Sequence, residues 1–120
     1  MQRWNIVAII AFLIILSLLL LSTDAYAGDI YEVRYDNHSN VKVFVVNYRN
    51  QADLCVYVTE YSSQARGKDE TWHYVTYSNQ ASTKIFFVKS ESRADIKIFF
   101  VKYENQAGWM KSSRFRGRFK

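Results

Sequence analysis

Apolar residues arrive in short runs rich in Val, Ile, Phe and Tyr, and a polar phrase returns after each run. Its fullest copy is Tyr48-Arg49-Asn50-Gln51-Ala52-Asp53-Leu54. It recurs at Tyr61-Ser62-Ser63-Gln64-Ala65, Tyr77-Ser78-Asn79-Gln80-Ala81 and Tyr103-Glu104-Asn105-Gln106-Ala107. Altered copies stand at Tyr35-Asp36-Asn37-His38-Ser39-Asn40 and Ser90-Glu91-Ser92-Arg93-Ala94-Asp95. The runs start at Ile30, Val43, Val56, Trp72, Ile85 and Ile98, in steps of 13, 13, 16, 13 and 13 residues. A fixed period marks a repeat architecture, and β-branched and aromatic runs bounded by Asn, Asp and Ser mark strands and turns. The pattern predicts an all-β domain over residues 28–109, a compact six-copy repeat of a 13-residue strand and turn with no helix in it.

Alternation within a copy adds a second constraint. In the second copy Phe44, Val46 and Tyr48 point one way and Val41, Val43 and Val45 the other, so both faces are apolar. A strand wetted on one side reads apolar-polar instead. These strands need cover on both sides, and the chain has to wrap over itself. Direct parallel neighbours usually require a crossover of a dozen or more residues, so hairpins or wide arches are expected between consecutive copies. The chain has no proline, and Asn, Ser and Asp supply the reversals by bonding nearby backbone. Gln51, Gln64, Gln80 and Gln106 read as structural turn residues whose amides satisfy backbone groups taken out of the ladder. The functional alternative makes them a ring of sugar-binding amides; recurrence at every full copy favours the geometric role.

From Ile30 to Trp109 the chain resembles the septoil-knot domain family. The resemblance is carried by the Y-x-[NS]-Q-A turns, the Asp53-Leu54 and Asp95-Ile96 continuations and the Ile-Phe-Phe-Val strands at 85–88 and 98–101. The longer charged third turn and the closing Gln106-Ala107-Gly108-Trp109 belong to it as well. It implies a compact all-β fold whose backbone forms a knot of seven crossings, a feature ordinary topology rules treat as nearly absent. It implies no enzymatic activity, ligand or cofactor. The copies at His38-Ser39 and Ser90-Glu91-Ser92-Arg93-Ala94 depart from the usual Tyr and Gln.

Ahead of the repeats, Met1–Asn5 carries one basic side chain, Ile6–Leu21 is uncharged and apolar, and Ala25 and Ala27 give a small-x-small end. These are the parts of a secretory signal, expected to be helical and cleaved after Ala27. The apolar run has 16 residues, short of the roughly 20 a spanning helix needs, so a retained membrane anchor is the lesser alternative. Residues 1–27 therefore read as a signal peptide and the mature protein as secreted or periplasmic, with no later segment apolar enough to span a bilayer. Cys55, the only cysteine, has no internal partner. Lys42, Lys84 and Lys97 hold the matching place in other copies, which points to a small hydrophobe at a partly exposed strand position.

Charge changes the picture at one end only. Residues 28–110 carry ten cations and ten anions, so the net +5 lies in Lys111, Arg114, Arg116, Arg118 and Lys120. With Phe115 and Phe119 interleaved, residues 110–120 read as a basic, flexible tail. Its expected partners outside the cytoplasm are anionic lipid, lipopolysaccharide or acidic wall polymer. Nucleic acid is not expected after export. Arg66-Gly67-Lys68-Asp69-Glu70 inserts three extra residues into the third turn and reads as a solvated loop. His38 and His73 are far apart in sequence, with His73 in an aromatic slot, and no metal spacing occurs. No nucleophile-base-acid set is suggested, so no catalytic residue, metal or cofactor is expected and the reading is a non-enzymatic domain. Surface tyrosines such as Tyr48 and Tyr61 offer a saccharide-binding alternative, and a purely structural, protease-resistant module is another. Oligomeric state is left open.

Overall fold

The computed structural model describes Ile10 and residues 28–119, so the expected signal helix and its cleavage point lie outside the described residues. Each apolar run forms a strand: β1 (Asp29–Glu32), β2 (Val41–Val45), β3 (Leu54–Val58), β4 (Thr71–Tyr74), β5 (Thr83–Phe87) and β6 (Ile96–Val101). All six pair in parallel, in the order β4-β1-β5-β2-β6-β3, and β3 returns to β4, which closes a barrel. A two-residue strand, β7 (Gly108–Trp109), lies antiparallel on the start of β3.

Hairpins do not form between consecutive strands; four of the five connections are arches, and β3 and β4 are direct parallel neighbours, which was not expected. Strands β1, β2 and β3 occupy alternate places round the barrel, and β4, β5 and β6 fill the gaps between them. The chain thus makes two circuits, advancing two places per copy. The exception is the step from β3 to β4, which advances one. That odd step is what the lengthened third turn supplies. Residues 59–70 make twelve-residue work of a connection that elsewhere (33–40, 46–53, 75–82 and 88–95) takes eight. Without it β4 would arrive at the place β1 holds.

Eight residues suffice for a parallel return because the strands are short and steeply tilted. The register slips by two residues at every interface: Glu32 faces Ile85, Val45 faces Ile98, Phe100 faces Val56 and Val58 faces Trp72. Barrel stagger and tilt rise together, and a tilted strand ends already displaced toward the place its successor takes. Each eight-residue return holds a single 3-10 turn, such as Arg49–Gln51 or Ser78–Gln80. The longer connection holds instead a four-residue α-helix, α1 (Ser62–Ala65), where none was expected.

Because the slip is the same at each interface, inward-facing residues of the six strands fall into layers. Ile30, Val43, Val56, Trp72, Ile85 and Ile98 make the central layer, all at 0% exposure. Outside, the returns cover the second apolar face. Val46, Ala52 and Cys55 are buried there against Phe44, Phe99 and Val101. Cys55 is therefore fully buried, where a partly exposed thiol was expected. Burial raises its pKa, an effect partly offset by Arg49.

The turns are held by backbone and by acids rather than by the repeated glutamines. In each 3-10 turn the third residue's N–H donates to the carbonyl of the residue before the turn, as Gln51 does to Tyr48 (3.1 Å) and Gln106 to Tyr103 (3.0 Å). Only Gln64 uses its side chain, accepting from the Thr59 hydroxyl; among the described residues the amides of Gln51, Gln80 and Gln106 make no hydrogen bond. The residue just ahead of the next strand does more. Asp53, Asp95 and Asn40 accept the N–H of Lys97 (2.9 Å), Lys42 (2.8 Å) and Lys84 (2.8 Å) on the neighbouring strand. Their own N–H groups donate to the carbonyls of those same lysines. These two-point clamps fix the slipped register where β2, β3 and β6 begin.

Candidate functional site: a basic cap on the barrel

The end of the barrel where the strands begin is closed by the C-terminal segment. Phe119 is at 0% exposure and Phe115 at 8%, both within the interior cluster. Phe119 stacks on Trp72, with ring centroids 5.3 Å apart and 28° between planes. Thr83 Oγ1 donates to the Arg118 carbonyl (2.7 Å) and Ser82 Oγ to that of Phe119 (3.3 Å). The expectation of a flexible tail is corrected: two large rings in a sixfold apolar well outweigh the basic composition around them.

Asp69 anchors this cap. It lies in the loop read as solvated, yet it is only 6% exposed. Its carboxylate accepts the Gly117 N–H (2.6 Å), the Phe119 N–H (3.1 Å) and Trp109 Nε1–H (3.0 Å). Its carbonyl accepts Trp72 Nε1–H (2.8 Å). The inserted loop thus both sets the odd step between circuits and holds the cap. One residue ties together the second circuit, the closing strand and the chain's end.

Burial of the rings turns the cations outward. Lys111, Arg114, Arg116 and Arg118 are exposed, while Phe115 and Phe119, expected beside them on a binding surface, are not available to a ligand. Arg114 and Arg118 lie over Phe115, 5.0 and 5.9 Å from its centroid, so the ring orders them. Arg114 also approaches Asp95 at 4.0 Å and keeps an 80% exposed side chain. Lys120 lies outside the described residues. Since all six strands run one way, Gly28 enters at the same end that carries these cations.

The remaining candidates separate. The repeat glutamines are exposed and scattered round the barrel. Tyr35, Tyr48, Tyr61, Tyr77 and Tyr103 are exposed to 62–67%, each just before a turn, so Tyr48 and Tyr61 belong to a set of five. His73 Nδ1 lies 3.0 Å from Asp29 Oδ1, and the Ser62 hydroxyl donates to the same oxygen (2.9 Å). This meets the composition of a catalytic triad without its order: the serine proton points at the acid, and no hydrogen bond joins serine to the histidine. No group of three or more metal-ligating side chains occurs among the described residues, nor any helix long and apolar enough to cross a membrane.

Sequence reasoning missed Asp69 because its partners lie 40–50 residues away. The available signal was the break in the period itself, since Asp69 lies in the one turn that is lengthened.

These features define a mostly β protein, a closed parallel barrel of six short strands plugged by its own C-terminal segment. The chain belongs to the 7(1) septoil knot domain family, whose model matches residues 27–110. Neither the curated proteins nor the solved structures contain a match to the chain.

Proposed function

We propose that this is an exported, non-enzymatic barrel domain that docks on an anionic envelope component through its basic cap. In this reading the two circuits are six copies of one 13-residue unit, threaded as the knot for which the family is named. The signal is removed after Ala27, and the domain works outside the cytoplasm. The observation that carries the reading is the pairing of burial and exposure in one short segment. Phe115 and Phe119 are buried while Lys111, Arg114, Arg116 and Arg118 are exposed, so the cations sit on a fixed surface rather than a loose tail. A fixed cation array docks without the ordering cost a disordered segment carries. Each cation near an anionic surface contributes about 1 kcal/mol, and salt screens it.

Deleting the segment would unplug the barrel, so charge reversal is the proper test. Arg114→Glu, Arg116→Glu and Arg118→Glu together leave both phenylalanines in place. The triple variant is expected to lose salt-sensitive co-sedimentation with anionic vesicles and with wall preparations while keeping its circular dichroism. Undiminished binding would end this reading.

A further inference from the structure

A cavity of about 500 Å³ lies over β2 and β6 and borders the cap. Phe44, Val45 and Val46 form its apolar side. The amides of Asn47, Asn50 and Gln51 line another side, and among the described residues none of the three makes a side-chain hydrogen bond. Glu91 and Lys97, paired at 2.9 Å, line it as well, and Lys111 joins it from the cap.

We infer that this groove takes one unit of an anionic saccharide, the component on which the cap docks. A sugar ring offers an apolar C–H face and a rim of hydroxyls that both donate and accept. An aromatic and aliphatic floor beside free amides answers both needs, since an amide donates and accepts together. Lys97 and Lys111 against Glu91 leave one positive charge, which selects an acidic unit over a neutral one. The equivalent groove over β1 and β5 shares the plan, with Tyr31 for Phe44 and Lys84 for Lys97. It has Arg34, His38 and Ser78 where the first has Asn47, Gln51 and Glu91, so it is the more cationic of the two, but it presents no amide and takes no lysine from the cap. Over β5 and β2 the corresponding turn residues are joined by the Arg93–Asp36 ion pair at 3.2 Å, which bars that position. Of these three positions only the groove beside the cap sets free amides and an excess cation together, as an acidic sugar requires, and the turn tyrosines are not part of it.

This inference rests on the reading of the cap as an anion-docking surface, and the test separates the two. Oligogalacturonate and poly-glutamate of matched charge are titrated against the protein at several salt concentrations. The protein is expected to bind the oligouronide about tenfold more tightly, a margin of one or two net hydrogen bonds. Asn50→Ala with Gln51→Ala, both exposed turn residues, should erase that margin and leave poly-glutamate binding as it was. The Arg114, Arg116 and Arg118 reversal should weaken both polyanions alike. Equal affinity of the unaltered protein for the two polyanions overturns the groove and spares the cap. Loss of the margin in the amide variant with no effect of the arginine reversal overturns the cap and spares the groove.

Discussion

Gly28 and Gly67 both adopt the left-handed conformation, with φ of +87° and +71°, in opposite surroundings. A Cβ at Gly28 would stand 2.1 Å from the Ala65 carbonyl oxygen, whereas one at Gly67 would meet nothing within 4 Å. Gly67→Ala should therefore cost about 1 kcal/mol, the backbone preference alone, and Gly28→Ala clearly more, as denaturant melts would report. Thr71 makes the converse case: its hydroxyl is buried without a hydrogen-bond partner. Thr71→Val should raise stability by about 1 kcal/mol, because an unsatisfied polar group is replaced by a methyl. Tyr74 carries a pH signature. Its pKa is pushed up to about 12, first by the partial burial of its ring at the barrel rim and then by the Glu32 carboxylate. Because the folded value is the raised one, the associated stability is complete below pH 10 and is lost as pH climbs toward 12. Phenolate absorbance, read as the difference from Tyr74→Phe, should show that late ionisation, and Glu32→Gln should bring it earlier.

At the scale of elements, the strands were legible and their neighbours were not. The six strand markers form the buried central layer because β-branched and aromatic runs report burial directly. Periodicity says how often a strand returns but not beside which strand it lies. That depends on tilt and return length, which no single copy displays. The arches were expected; the parallel order and α1 were not. The cap was illegible for another reason. Arg-Phe-Arg-Gly-Arg-Phe reads as a solvated basic tail, and only the distant Asp69 and Trp72 convert its rings into a plug. Asp69→Ala should cost about 3 kcal/mol or more, since it strips an acceptor from two backbone N–H groups and Trp109 at once. Phe119→Ala should cost about 3–5 kcal/mol as a large ring leaves the core. Both are checked by equilibrium denaturation, and in both the Trp72 fluorescence environment should change.

For the whole molecule, pairing runs between circuits and not within them. Strands β4, β5 and β6 each lie between two strands of the first circuit, and β1, β2 and β3 do not pair with one another. Neither circuit is a sheet by itself. Residues 28–66 and 67–120, made separately, should each lack strand signal by circular dichroism; a β spectrum from either half would oppose this account. Every ladder is also long-range, so refolding should take about a second or longer. Closure of the barrel removes the free edges that invite association, and leaves the two ends as the distinct surfaces. One end is plugged and cationic. The other is rimmed by Val45, Val58, Tyr74 and Phe100, each about two-fifths exposed. The functional reading depends on the first of these being a rigid surface. Amide hydrogen exchange at Gly117 and Phe119 tests that most directly. Both amides should be protected far beyond an unstructured peptide and lose that protection in Asp69→Ala; exchange at the free-peptide rate in the unaltered protein would contradict the plugged barrel and the fixed cation array built on it.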